Sequence, residues 1–258
     1  MTLYVGTSGW QYKDWREVLY PPDVPVRRWL EEYAEHFATV EINNAFYRLP
    51  SRDTFESWAE RVPSDFVVAV KASRYLTHIK RLRDPAEPVH RLMDHAAGLG
   101  ARLGPVLLQL PPTLRADPEL LDTCLSRFPS STRVAVEPRH PSWWIPPVRE
   151  VLRARGAALC WADVESRPAT PLWRTADWGY VRFHEGRASP WPRYGQRALE
   201  TWIDRIATTW SAGDDVYAYF NNDPGGAAVG DAALFGRTAR RAGLTVTRTP
   251  RALATRSR

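Results

Sequence analysis

Eight short apolar runs, all but one followed by a stretch with helical spacing, constrain the fold of this chain more than any other feature. The runs are Leu3 to Thr7, Thr39 to Phe46, Phe66 to Ser73, Val106 to Leu110, Arg133 to Glu137, Ala157 to Asp163, Gly179 to His184 and Val216 to Asn221. Each holds β-branched or apolar residues between proline, glycine or polar punctuation, the pattern of a buried strand. The stretches Val26 to Phe37, Arg52 to Arg61, Val89 to Leu99, Pro118 to Phe128, Pro147 to Arg155, Leu199 to Trp210 and Ala227 to Ala242 repeat apolar residues with the period of an amphipathic helix. Asp117 before Pro118 predicts an N-cap, and Gly243 predicts a helix stop. The proline-rich Asp84 to Pro88 reads as a surface loop. Eight strands alternating with helices predict an α/β fold, a single (β/α)8 TIM-type barrel over residues 1–248. An open doubly wound sheet is the alternative, but no glycine-rich dinucleotide fingerprint follows the first run.

Composition excludes several classes. Aromatic residues make up 12% and charged residues 25%, which is incompatible with wholesale disorder. No apolar run approaches the roughly 20 residues of a membrane helix. Met1 to Gly6 lacks the basic and apolar regions of a signal peptide, so a cytoplasmic location is expected. Cys124 and Cys160 match neither a disulfide framework nor a zinc pattern and are expected to be unpaired. Of the net charge of +6, seven arginines follow Asp231 with no acid among them, so the preceding residues carry −1. A nucleic-acid-binding stripe across the body is therefore not expected. Residues 249–258 are expected to form a basic, disordered tail.

Side chains alternate across a strand, so residues two apart share a face. Glu41 shares a face with Asn43, Lys71 with Ala69, Gln109 with Leu107, and Glu137 with Arg139. Asp163 is in phase with Trp161, while Tyr180, Arg182 and His184 form one set and Tyr217, Tyr219 and Asn221 another. These polar groups end their runs, and in a barrel the C-terminal strand ends form the substrate-binding mouth. Glu41, Lys71, Glu137, Asp163 and His184 are the candidate catalytic residues. Ser8, Trp10, Asn43, Gln109, Arg139, His140, Arg182, Tyr219, Asn221 and Asn222 are the candidate substrate-binding residues. Glu41, Lys71, Glu137, Asp163, Arg182, His184 and Asn221 are expected to converge in one pocket. A mutually paired structural network of the same charges is the alternative. Lys71 stands out because the chain has only three lysines against 32 arginines. A desolvated lysine loses its proton or forms an imine, and arginine does neither.

Several strings carry a family resemblance: Gly6-Thr7-Ser8-Gly9-Trp10, Thr39-Val40-Glu41-Ile42-Asn43, Phe46-Tyr47-Arg48-Leu49-Pro50, and Lys71 with Thr77-His78. Gly104 to Pro112, Ala135-Val136-Glu137-Pro138-Arg139-His140, Tyr180 to His184 and Val216 to Asn222 continue it. Over nearly its whole length the chain resembles domain of unknown function 72, the YecE-like family. The resemblance implies a TIM-type barrel of prokaryotic origin and transfers no activity. Two positions depart from the family pattern: Glu185 separates His184 from Gly186, and Asp231-Ala232 stands where Asn-Ala is usual.

The functional expectation is an enzyme acting on a small polar substrate, sugar-like or phosphorylated, by carboxylate and lysine acid–base chemistry, with no cofactor. Glu137 is expected to act as general base or electrostatic stabiliser, with Trp10, Trp143, Trp161, Trp191 and Tyr219 available to wall the pocket. Asn221 to Gly226 could present backbone N–H groups to an anion. A metal-assisted variant would draw on Glu41, Glu137, Asp163 and His184. The alternatives are a metal-dependent nuclease and a non-catalytic binding module using the basic tail.

Overall fold

Branched and apolar runs become strands here because the surrounding helices cover one face of them and opposing strands cover the other. The computed structural model describes residues 1–250. Its strands are β1 (Thr2–Thr7), β2 (Thr39–Ile42), β3 (Val67–Lys71), β4 (Leu103–Gln109), β5 (Val134–Glu137), β6 (Ala158–Leu159), β7 (Trp161–Val164), β8 (Arg167–Pro168), β9 (Gly179–Phe183), β10 (Asp215–Phe220) and β11 (Thr245–Val246). The helices are α1 (Trp29–His36), α2 (Asn44–Tyr47), α3 (Arg52–Glu60), α4 (Ala86–Ala96), α5 (Pro118–Leu125), α6 (Pro146–Ala154), α7 (Gln196–Thr209) and α8 (Ala227–Arg241). Asp117 caps α5 as expected, its Oδ1 accepting the Leu120 N–H at 2.9 Å. Pro85 to Pro88 is not loop throughout: α4 begins at Ala86 and takes Pro88 into its first turn, where no backbone N–H is needed.

The strands form two sheets, in the orders β2-β3-β4-β5-β6 and β11-β1-β10-β9-β7-β8, parallel except for the β7–β8 pair. The α/β character and the parallel strands are as expected, while the pairing among the described residues does not close them into a single ring of eight. Between β1 and β2 the only pairing is an isolated bridge of Ser8 with Glu41. The Tyr33 hydroxyl lies between the two edges, bonded to the Thr7 N–H at 3.1 Å and donating to the Thr39 carbonyl at 3.0 Å. A side-chain hydroxyl thus takes the place of a ladder bond. The run 157–163 divides at Cys160 into β6 and β7, which belong to different sheets.

Two apolar clusters follow from strand alternation. The larger packs residues such as Val40, Val70, Val136, Val181 and Phe220 against the helices. The smaller joins Ala69, Leu107, Ala135, Ala158, Cys160, Tyr180, Tyr217 and Tyr219, so strands of both sheets face one common interior. Among the described residues no helix is long and apolar enough to cross a membrane. The expected tail lies outside the described residues except for Thr249 and Pro250. Thr249 is buried and accepts a bond from Arg240 at 2.9 Å.

Cys124 and Cys160 are free and buried. Burial pushes the Cys124 thiol up to about 12 and raises the Cys160 thiol well above its ordinary range. A thiolate is the reactive species, so the native protein should titrate no thiol with a disulfide reagent at pH 8. Two equivalents should react once denaturant is added; fast reaction of either in the native state would contradict this burial.

Candidate functional site

Parallel pairing sets β2, β3, β5 and β9 side by side or across the interior, and their inward residues bring the charges together. Glu41 Oε1 accepts from Ser8 Oγ at 2.6 Å and from Arg182 Nη2 at 2.8 Å, and its Oε2 accepts from the Tyr180 hydroxyl at 2.7 Å. Arg182 Nη1 donates to Glu137 Oε2 at 2.7 Å. Glu137 Oε1 faces His184 Nε2 at 2.8 Å and Arg139 Nη2 at 3.4 Å. Glu41, Glu137 and Arg182 are each at most 1% exposed. Burial pushes both carboxyls up, but the Arg182 charge and the donated hydrogen bonds outweigh it. Glu41 is held below the ordinary carboxylate range and Glu137 well below it. Arg182 bridges the two as a buried Glu–Arg–Glu cluster, whose members are costly to remove singly.

Lys71 stands apart from this pairing. It ends β3 with 9% of its surface exposed, and its Nζ lies 4.2 Å from the Phe46 ring centroid. Burial first, and then the Arg182 charge, lower its amine to about 8, with Glu41 and Glu137 acting in the opposite sense. His78 sits edge-on to the same Phe46 ring, at 5.0 Å between centroids, in a π-helical turn over Tyr75–Ile79. Such turns recur at functional sites because they displace side chains from the α-helical register. Arg139 is exposed, His184 is 13% exposed at its side chain, and Asn221 Nδ2 lies 3.4 Å from His184 Nδ1. Beside them opens a cavity of about 330 Å³ lined by Glu137, Arg139, Ala162, Thr170, His184 and Glu185. Gln109 pairs in register with Glu137 at the same strand ends, and Asn43 is the N-cap of α2, its carbonyl accepting the Phe46 N–H at 3.0 Å.

Asp163 does not join the cluster, which corrects the expected convergence. It shares the face of Leu159 and Trp161, which pack in the helix-side core, and Ala162 occupies the inward position instead. Its carboxylate accepts from the Tyr194 hydroxyl at 2.6 Å, Trp202 Nε1 at 2.7 Å and the Ser166 N–H at 3.1 Å, tying the β9–α7 connection to α7. Asp163→Ala would strip those donors of their acceptor, so a loss of at least about 2 kcal/mol of stability is expected, since each orphaned buried group costs 1–3 kcal/mol. Denaturant unfolding checks this, and any activity per folded molecule should be unchanged.

Other expected binding residues also have structural duties. Trp10 is buried edge-on to Trp58, and Trp143 and Trp161 lie in the same core, leaving Trp191 as the exposed member of the aromatic set. His140 accepts the Ser142 N–H at 3.1 Å and so caps a short turn. Tyr219 is wholly buried, its hydroxyl 2.7 Å from Thr39 Oγ1, beneath the charges. Asn222 Nδ2 donates to Asp231 Oδ2 at 2.7 Å, and Asp231 also accepts the Tyr194 N–H. The departure at Asp231 is thereby absorbed as a buried loop anchor. Gly186 keeps its place after Glu185 because a Cβ there would collide with the Arg193 backbone. Phe46, His78 and Tyr180 are site residues beyond the expected set, and only Tyr180 carries a signal for it, the parity it shares with Arg182 and His184. Asp223 is another, its carboxyl pushed up to about 7 by burial against the pull of the Tyr12 hydroxyl.

Among the described residues no three His, Cys, Asp or Glu side chains gather as a metal-binding group. Glu41 and Glu137 are bridged by Arg182, and Asp163 faces elsewhere.

Fold and site together define an α/β protein with a buried carboxylate–arginine cluster at the C-terminal ends of its parallel strands. The model of the family described as "Protein of unknown function DUF72" matches residues 4–254. The chain belongs to the DUF72 family. UPF0759 protein YunF of Bacillus subtilis is 27% identical over 88% of this chain and 90% of its own length. UPF0759 protein YecE of Escherichia coli is 30% identical over 60% of this chain and 54% of its own. A DUF72 family protein of Thermotoga maritima superposes with a TM-score of 0.81 at 27% identity, covering 93% of this chain and all of that one. One from Enterococcus faecalis gives 0.77 at 17% identity, with 99% of both chains covered.

Proposed function

We propose that this chain is an enzyme for a small anionic substrate, bound where the two sheets together form the mouth of one (β/α)8-type wall. The observation that carries this reading is an amine set apart among paired charges. Lys71 is buried over Phe46 with its proton affinity lowered to about 8, close to working pH, as acid–base catalysis requires. Lys71 exchanges the proton. Glu137, held as an anion by Arg182, serves as electrostatic stabiliser, because protonating it would weaken its contacts with Arg182, His184 and Arg139. Arg139 and His184 flank the cavity and orient the anion, and Asn221 steadies His184. The reading invokes no metal or cofactor.

The test is a turnover screen of phosphorylated sugars, glycosides and nucleotides with the wild type and Glu137→Gln. Removing one preorganised electrostatic group should lower kcat about 10²–10³-fold with the circular dichroism spectrum retained. Wild-type turnover left unchanged by Glu137→Gln would remove that role. A complete absence of turnover across the screen would favour a ligand-binding protein instead.

A further inference from the structure

We propose that the Lys71 amine forms an imine with a substrate carbonyl, which makes the substrate an aldehyde or ketone that also carries an anionic group. The inference deepens the reading above and rests on it. Its basis is the company Lys71 keeps. Facing it are Glu41 from β2, Glu137 and Arg139 at the end of β5, Arg182 from β9, His78 from the turn after β3, and Phe46 from α2. Both carboxylates are engaged by other donors: Glu41 by Ser8, Arg182 and Tyr180, and Glu137 by Arg182, His184 and Arg139. Among the described residues no carboxylate comes within ion-pair distance of Lys71 Nζ.

A lysine whose task is to neutralise a buried acid sits on that acid. This one has its acids neutralised by an arginine and lies instead against the Phe46 face, a contact that favours the ammonium but supplies no counter-ion and leaves the amine free of any carboxylate partner. Burial and the nearby Arg182 charge favour the neutral form, which is the nucleophile. The residue type matters too: a chain with 32 arginines uses one of three lysines here, and only lysine can form an imine.

In the step itself the nitrogen lone pair adds to the carbonyl carbon. The N–C bond forms, the carbonyl π pair moves to oxygen, and the nitrogen's proton is passed to that oxygen. The carbinolamine takes up one further proton and expels water as the lone pair makes the C=N bond. Amine, carbonyl and one proton thus give an iminium ion and water, with no oxidant or reductant. The iminium charge forms beside Glu41 and Glu137, the same anions that favour the ammonium. Arg139, the exposed cation of the site, is positioned for the substrate's anionic group.

The experiment treats full-length protein at pH 8 with pyruvate or glyceraldehyde 3-phosphate and sodium borohydride, which reduces an imine to a stable secondary amine. Peptide mass mapping then locates the adduct, with Lys13 and Lys80 as internal controls. Lys71 should be labelled at least ten times faster than either control. Acetaldehyde, which lacks the anion, should label Lys71 at least tenfold more slowly than pyruvate. Lys71→Arg should carry no adduct at that position. Equal labelling of the three lysines, or none at Lys71 with either anionic probe, would overturn the proposal, and because the comparison lies within the wild type it needs no variant to fold. If Lys71 is not trapped while Lys71→Met still abolishes turnover in the screen, the imine fails and the proton-carrying role stands. If Lys71 is trapped while Glu137→Gln leaves turnover intact, the imine stands and the role given to Glu137 fails.

Discussion

Arg182→Met should lower the free energy of unfolding by about 3–5 kcal/mol at pH 7, because it leaves Glu41 and Glu137 buried without their shared cation. Both carboxylates are at most 1% exposed, so solvent cannot screen them. The pH dependence should reverse sense. In the wild type the folded values lie below the ordinary 4.5, so the stabilisation is present at neutral pH and is lost as pH falls through the folded values. In the variant burial acts with less opposition and the folded values rise. Stability is then greatest below about 4.5 and falls as pH rises through the new values. The difference between the two proteins should therefore shrink on acidification, and adding Glu41→Gln and Glu137→Gln to Arg182→Met should recover part of it. Urea unfolding from pH 4 to 8 measures all of this. A wild type and variant that differ by less than 1 kcal/mol at pH 7 would mean that the cluster is not a stabilising ion network.

Lys71→Met should change the pH dependence in the alkaline range instead. The folded amine value of about 8 lies below the ordinary 10.5, so folding opposes the ammonium form. Between those two values the unfolded chain holds the extra proton, and wild-type stability gains with rising pH. Methionine carries no proton, so its stability relative to wild type should fall by about 2–3 kcal/mol between pH 7 and 10.5, at 1.36 kcal/mol per unit. The variant should also lose turnover by about 10²–10⁴-fold, the usual range for an acid–base group. A stability difference that does not move with pH would show that Lys71 titrates like a solvated lysine and would undercut its place in the chemistry. Arg182, Arg139, Glu41 and Glu137 all act on this amine, so the measurement reports the charges around it together.

Much of the architecture was legible in the residue pattern. Apolar periodicity located the helices within a few residues, and Asp117 and Pro118 marked a helix start, because capping and the first turn obey local rules. The strand positions also followed, except that the run Thr39 to Phe46 ends as a strand at Ile42 and turns helical from Asn44 in α2, and so did the grouping of Glu41, Lys71, Glu137, Arg182, His184 and Asn221. The separation of the sheets was not legible, since it turns on the Tyr33 hydroxyl reaching Thr7 and Thr39 from α1 and on the break at Cys160 between β6 and β7.

The limits of the pattern are clearest at Asp163. Alternation states which residues share a face and is silent on which face points inward. Where one face is polar the assignment follows, as at Glu41 and Glu137. Along 157–163 both faces are apolar before Asp163, and the crowding of Tyr180, Tyr217 and Tyr219 in the interior leaves room for Ala158 and Cys160 and sends Trp161 outward. Asp163 follows Trp161 to the helix side. Residue order therefore decided the elements and the phase of each strand, which depend on neighbours in the chain. Tertiary structure decided the charge network, because Arg182 meets Glu41 across 141 positions and Glu137 across 45. Strand pairing between distant segments selects such partners, and no local periodicity encodes it.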